Sequence, residues 1–575
     1  MTASSAKDNA SPARIDGLRF AGPAAEAMLR GRVDEVCRPA PDAWQQVKHN
    51  PSRTVYRGQI DGTEVYLKHF HARSLSARLK RALGLSGAVR ELAVSRRLAE
   101  AGAAAVPVLA AMCAPEGHWV LTEAVHPGPS LEAWHAAQSA RGAAGREDVA
   151  RMSGRLARLL AAVHAAGVVH MDLHCGNVMV GSGGRPVLMD LHRAKCKRRV
   201  SRRLRVMNLA QLCHDRTPTT TRTQRLRFLK QYLRFSGVGG TLRGWEMLVA
   251  LSTERHTKRQ YAQRDRRIFR QNKYFAPVSL AGGWKGHVVL ASKRAGDYSR
   301  AAAMAFTPEQ WHKALGDVGG LFGGRDVTVV KDTPSGMVVR RDLALGQHAV
   351  SVFVKRPRRR GLKWLLDGLL LRRSRPRWAF KHGHMLLARR FDTALPLAVL
   401  ERRCGPVLLD SILITEAVDA PGAWHYFGEA SRAAGPGETA ADARRRQTRA
   451  RRAFWSLGRV VRRLHDAGFS HRDLKTVNIL MYGRQPRAVF VDLDGVRRPA
   501  VVTLRRRLRD VGRLLWALLS ATPHASSACR LRVLLGYLAP PGRAWGSYRT
   551  YWRVIERLGR GRPLASAAAD RGAER

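Results

Sequence analysis

Two stretches of this chain carry the same acid, amide and acid in the same order. Residues 170–190 read HMDLHCGNVMVGSGGRPVLMD and residues 471–492 read HRDLKTVNILMYGRQPRAVFVD. Each has His-x-Asp, an Asn five residues beyond that Asp, and a second Asp 13 or 14 residues after the Asn. Asp172, Asn177 and Asp190 form one set, and Asp473, Asn478 and Asp492 the other. These residue types at this spacing suit phosphoryl transfer from ATP, which is mostly positioning and charge neutralisation. The first Asp would accept a hydrogen bond, and late in the reaction the proton, from an acceptor hydroxyl. The Asn and the second Asp are hard oxygen donors for Mg2+ against the phosphates. A strand Lys further upstream would pair with the α and β phosphates. Lys68 and Lys355, closing VYLK and VFVK, are its candidates, although either alone also reads as a solvated strand-end charge.

The elements that must hold these groups are legible in the same order in each half. Residues 54–69 alternate as a β-hairpin does, with Gly58 and Asp61-Gly62 as turn signals. A helical pattern follows at about 87–101, an apolar segment at 118–125, and an amphipathic helix at 147–166 leads into the first motif. The second half repeats this with strands near 326–355, a helix near 376–390 and a long helix near 439–467. Thr122-Glu123-Ala124-Val125 recurs as Thr415-Glu416-Ala417-Val418. His164 and His465 each stand six residues before the motif His, and both read as core or capping residues. His174 reads equally as a phosphate contact or a packed loop histidine. A repeat near 300 residues is a domain duplication rather than a solenoid. The expected architecture is α+β, two tandem protein-kinase-like bilobal domains, each with a small β-rich lobe and a larger helical lobe. The expected boundaries are an N-terminal extension at 1–44, partly disordered, a domain at 45–261, a basic linker at 262–285, a second domain at 286–561 and a disordered tail at 562–575.

Composition bounds the rest. At 575 residues with 45% hydrophobic content the chain can bury two cores. Its net charge of +57 should attract a polyanion: nucleic acid, anionic lipid or a phosphorylated glycan. No helix-turn-helix, finger or stacking-aromatic motif stands out, so no specific nucleic acid is expected as a partner. Seven scattered cysteines with no CxxC pair fit a reducing compartment. The first residues carry no apolar run of the secretory kind, and no stretch reaches the ~18 apolar residues of a membrane span.

At the two motifs, VVHMDLHCGNVMV with VLMDLHRAK and FSHRDLKTVNILM with VFVDLDGVRRP, the chain resembles the bacterial lipopolysaccharide kinase family, the WaaP-like Kdo and heptose kinases. The resemblance implies use of ATP and Mg2+. It implies a sugar hydroxyl of lipid-linked Kdo or heptose as acceptor, and peripheral work at the cytoplasmic face of the inner membrane. It assigns Asp172, Asp473 and Lys475 to catalysis. Lys68, Glu91 and Lys355 go to the nucleotide, and Asn177, Asp190, Asn478 and Asp492 to the metal. The halves depart from the pattern differently. Neither has a GxGxxG loop. Glu91 is a helix partner for Lys68, whereas residues 361–400 contain no Glu for Lys355. Met171 stands where the second half has Arg472, and the second acids sit in Asp190-Leu191-His192 and Asp492-Leu493-Asp494-Gly495. Eighteen residues on come Asn208 and Asp510, and the neutral Asn208 is expected to brace its loop more weakly.

Both halves also carry a basic amphipathic stretch after the Lys. Residues 355–378 align Leu362, Leu365, Leu366 and Leu369 on one helical face with Trp364 beside them, an interfacial-helix pattern suited to an anionic membrane surface. Residues 73–83 are a milder version. Two other readings compete: a protein Ser/Thr kinase, from His471-Arg472-Asp473-Leu474-Lys475, and a membrane-associated pseudokinase scaffold. No Ala-Pro-Glu follows Asp492, which weighs against the former.

Overall fold

The Asp61-Gly62 turn, both residues left-handed (φ 48 and 74), closes a hairpin between Arg53–Ile60 and Thr63–Phe70. Along the second strand Val65 and Leu67 face the core while Lys68 is buried on the opposite face, the period of two that a half-covered sheet requires. In the computed structural model the described residues are 18–37, 39–50, 53–71, 87–114, 117–216, 220–292, 294–358, 374–432, 435, 437–483, 485–521, 527–539 and 548–559. They divide into two compact units, Met1–Arg259 and Gln260–Arg575.

In the first unit the hairpin lies in a six-stranded antiparallel sheet ordered Leu18–Phe20, Val108–Ala114, Gly117–Glu123, Thr63–Phe70, Arg53–Ile60, Gln45–Asn50. Helix Gly87–Glu100 packs on it and brings Glu91 to Lys68. The second unit has a seven-stranded sheet ordered Phe275–Leu280, Trp284–Val289, Pro396–Cys404, Val407–Glu416, His348–Pro357, Gly336–Leu345, Thr328–Thr333. Its register is the same at the position that matters: Val65 pairs with Glu123 and Val352 with Glu416, each three residues before the Lys. The repeated Thr-Glu-Ala-Val thus leaves each sheet at an equivalent edge. Both units are α+β and protein-kinase-like, a sheet lobe followed by a helical lobe.

Each helical lobe is organised by a long helix that ends just before its motif, Ala143–Ala165 and Ala440–Asp466. The first packs on Arg222–Ser236 around Leu156, Leu160 and Tyr232. The second packs on Ser527–Leu538 around Phe454, Leu457, Val461 and Tyr537. In the second lobe Gly458 and Gly536 bring the two backbones together, since a Cβ on either would collide with a main-chain carbonyl of Val533 or Trp455.

Two sequence-based boundaries differ from the structure. The segment 262–285, expected as a linker, contains the end of helix Leu242–Arg267 and the edge strand Phe275–Leu280. Its basic and Gly-containing composition hides two local anchors. Asp265 is held by both guanidinium nitrogens of Arg389 at 2.9 Å and by Arg498 at 3.0 Å, and Phe275, Ala276 and Val278 are buried. The described part of the 1–44 extension is integral to the first sheet: Leu18–Phe20 pairs with Val108–Ala114, and Trp44 is buried against Gly58. The outer tails, most of the 355–378 amphipathic stretch and the 73–83 stretch lie outside the described residues.

Candidate active sites

The two motif loops are built alike. After each long helix a two-residue strand delivers the motif His, which is buried in both units. Burial pushes the His170 imidazole down and the His471 imidazole down to about 4, so both rings are neutral. A neutral Nδ1 can accept, and it accepts the backbone N–H of the catalytic-position Asp: Asp172 at 3.2 Å and Asp473 at 3.3 Å. Asn177 and Asn478 each donate Nδ2 to the carbonyl of that same Asp at 2.9 Å, which fixes the five-residue spacing. Each Asn carbonyl then accepts from the residue before the second Asp, Met189 and Val491, at 3.0 Å. The second Asp of each set sits in left-handed backbone, φ 63 at Asp190 and 49 at Asp492. Only four described non-glycine residues have positive φ, and two of them are these acids, the local strain expected where function dictates geometry.

Around the second Asp the units diverge. In the first unit Lys68 Nζ is 2.7 Å from Glu91 Oε1 and 3.9 Å from Asp190 Oδ1, both side chains of the Lys68–Glu91 pair being buried. Asp190 also accepts from Arg53 at 2.9 and 3.4 Å, one bond to each oxygen, and from His192 Nδ1 at 2.8 Å. Burial pulls this carboxyl up, but the His192 hydrogen bond, the Lys68 charge and the Arg53 bonds together hold it well below the usual carboxylate range. The catalytic-position Asp172 is half exposed with Arg193 at 3.7 Å. His174 turns back to accept the Gly176 N–H at 3.0 Å, so it serves as a loop cap.

In the second unit Lys355 lies 2.5 Å from Asp492 Oδ1 and 3.1 Å from Asp494 Oδ2. As expected from sequence, no helix Glu faces it. Counted back from the left-handed residue that ends each helix, Gly102 and Arg390, the place of Glu91 is taken by Ala379. The carboxylate partner instead comes from Asp494, two residues beyond Asp492. Burial alone would lower the Lys355 ammonium, but Asp494 and Asp492 outweigh it and raise it. Burial raises Asp492, and Lys355 more than reverses this. Asp494 is raised by burial and by the neighbouring Asp492 charge, because one Lys serves both acids. Asp494 Oδ1 is buried with no hydrogen-bond partner among the described residues, and Asp492, Asn478 and Asp494 each offer oxygen donors of the kind Mg2+ takes. Asp473 accepts from Asn478 Nδ2 at 3.0 Å and lies 3.4 Å from Lys475, half exposed toward any acceptor.

A layer beneath the loops was only partly foreseen. Asp510 Oδ2 accepts the His471 N–H at 3.0 Å and stands 3.3 Å from His465 Nε2. Asn208 does more than the weak brace expected of it. Its Oδ1 accepts the His170 N–H at 3.2 Å, and its Nδ2 donates to the His170 carbonyl at 2.7 Å. An amide presents both a donor and an acceptor, whereas a carboxylate only accepts. His164 and His465 are buried and bridge these braces to Tyr232 and Tyr537 at 2.7 and 2.9 Å. The tyrosines escaped sequence reading because they follow Asn208 and Asp510 at unequal distances. Arg53 escaped it as well, since nothing local marks it as a partner of Asp190.

Comparison with known proteins identifies the family. The profile described as the Lipopolysaccharide kinase (Kdo/WaaP) family matches residues 45–232 and again 378–537. A solved structure titled "WaaP in complex with acyl carrier protein" matches with 25% identity over 42% of this chain and 99% of its own, at a TM-score of 0.34. No curated protein matches significantly.

Proposed function

Because the chain belongs to the lipopolysaccharide kinase (Kdo/WaaP) family, a family of ATP-using phosphotransferases, we propose that its second unit phosphorylates a sugar hydroxyl of lipid-linked glycan. The acceptor is a Kdo or heptose of the lipopolysaccharide inner core or a close relative, reached at the cytoplasmic face of the membrane. The observation that carries this reading is the connected set in the second unit, where Asn478 joins Asp473 to Val491, the residue before Asp492. Asp473 orients the acceptor hydroxyl and takes its proton late in transfer, with Lys475 beside it offsetting the developing charge. Lys355 binds phosphate oxygens of ATP. Asp492 and Asn478, with Asp494 adjacent, would hold Mg2+, which supplies charge neutralisation on the transferring group.

The +57 charge and the basic 355–378 stretch support a peripheral position on an anionic bilayer. Among the described residues no helix is long and apolar enough to cross a membrane. Charge reversal at Arg359, Arg360, Arg372 and Arg373 should release the protein from anionic vesicles, and unchanged binding would refute that placement. The function itself is tested by Mg-ATP-dependent transfer of labelled phosphate to dephosphorylated core lipopolysaccharide. Label on the glycan is the expected result. Label on protein acceptors alone would favour a Ser/Thr kinase, and no label on any acceptor would favour a scaffold.

A further inference from the structure

We propose that the first unit binds a nucleoside triphosphate without a divalent metal, the Arg53 guanidinium standing where the metal's charge would otherwise be needed. Strand register locates the substitution. In the first unit Lys68 pairs with Val55 and Phe70 with Arg53. In the second Lys355 pairs with Val338 and Pro357 with Gly336. Arg53 and Gly336 are therefore the same position, and each follows a Pro-Ser pair, Pro51-Ser52 and Pro334-Ser335. In the first unit this position reaches the second Asp. One copy presents a bare backbone there and the other a guanidinium that forks onto both oxygens of Asp190.

Charge balance points the same way. In direct contact around the first lysine are two acids, Glu91 and Asp190, and two cations, Lys68 and Arg53, so the cluster is neutral as it stands. Around the second lysine, among the described residues, are two acids, Asp492 and Asp494, and one cation, Lys355, which leaves a negative charge for a divalent ion to neutralise. Glu91, Asp190 and His192 do bring one ligand atom each within 4.8 Å of one another. However, an ion bound to Asp190 at about 2 Å would have to displace Arg53, His192 and the approach of Lys68. The residues present thus fit a divalent metal poorly in the first unit, where three groups must give way, whereas among the described residues of the second only Lys355 holds the acids. Arg53 is permanently charged and planar, a geometry matched to phosphate oxygens, and can exchange Asp190 for them when a triphosphate arrives. The inference rests on the kinase reading of the fold and not on the glycan acceptor.

The test is ATP binding by calorimetry to the full chain, in EDTA and in excess Mg2+. Wild type should bind one equivalent in EDTA and two in Mg2+. The variant Lys355→Met should keep the EDTA site and lose the second. Adding Arg53→Gly should weaken the EDTA site at least tenfold, while Arg53→Lys, which keeps the charge but not the fork, should weaken it less. Far-ultraviolet dichroism confirms folding, and the wild-type stoichiometry decides the matter should a variant not fold. Absence of any EDTA site, or an EDTA site indifferent to Arg53→Gly, overturns the proposal. So does a Mn2+ ion bound to the wild-type first unit alongside ATP. Glycan phosphorylation can fail or succeed independently of all these outcomes.

Discussion

The lysine of the first unit draws its carboxylate from a helix, at Glu91, and the lysine of the second draws it from a turn, at Asp494. The first pair is buried on both sides, whereas Lys355 keeps about a quarter of its side chain exposed. With its lysine satisfied, the first unit adds Arg53 and His192 to the second Asp, whereas among the described side chains Asp492 is bonded by Lys355. Duplicated folds can thus keep the strand Lys and the Asp, Asn and Asp of the motif and still differ in which groups are occupied. The charge in direct contact, more than the presence of Asp and Asn, separates a site ready for a metal from one already neutralised.

The largest test of this contrast is catalytic. Asp473→Asn should lower transfer to glycan by about 10²- to 10⁴-fold, the usual worth of a positioned base, while keeping the loop hydrogen bonds. Asp172→Asn should lower it by less than about tenfold. Equal losses from the two variants, measured with labelled ATP, would mean that both units turn over and that Arg53 is displaced during the reaction.

The second test concerns the lysine partners. Glu91→Ala leaves Lys68 buried without its nearest acid, and breaking a buried pair in this way costs about 3–5 kcal/mol. Asp494→Ala leaves Lys355 with Asp492 at 2.5 Å and with solvent, and should cost about 1 kcal/mol. Denaturant unfolding would show the ranking, and a reversed ranking would break the distinction between a structural lysine and an available one.

How much of this the sequence announced follows from how local each contact is. The Asp172 to Asn177 and Asp473 to Asn478 spacings are closed by hydrogen bonds within one loop, so chemistry and spacing appear together in the chain. The hairpins and long helices were legible because their faces alternate or recur with a simple period. Arg53 and Asp190 are 137 residues apart, and an Arg at the start of a strand is unremarkable in an Arg-rich chain. Asp494 was visible as a departure in Asp-Leu-Asp-Gly, but only the fold shows that it replaces the missing helix Glu. The strand at Phe275–Leu280 was obscured because one edge strand needs few apolar residues, and the surrounding basic composition outweighed them.

A third, smaller effect lies in the helical lobes. Gly458→Ala forces a Cβ into the Val533 carbonyl and should cost about 1–3 kcal/mol by overpacking, offset only slightly by better helix propensity. Gly154, on the matching helix of the first unit, meets only the end of the Gln231 side chain. Gly154→Ala should therefore change stability by less than about 0.5 kcal/mol. In calorimetry the transition that moves with Gly458→Ala is thereby assigned to the second unit.

The smallest effect is the pH response of those two transitions. In the second unit burial holds the imidazoles of His382 and His471 down at about 4 and that of His384 at about 3. In the first unit His164 is lowered to about 4 and His170 is lowered as well. An imidazole whose folded value is depressed is protonated first in the unfolded chain. Its stabilising contribution is complete above the ordinary value near 6.5 and is lost as pH falls from there toward the folded value. Both transitions should thus fall on acidification. With His287 also lowered by burial, the second unit has two more such rings, so its loss between pH 7 and pH 6 should exceed that of the first by about 1 kcal/mol. His384 packs edge-on to Phe275 and Phe380, with ring centroids at 4.8 and 4.6 Å, and gains no charged partner there. His384→Gln should therefore flatten the pH slope of the second transition even as it lowers its midpoint. A slope unchanged by His384→Gln would place the acid sensitivity in the other buried imidazoles of the second unit, His382 and His471.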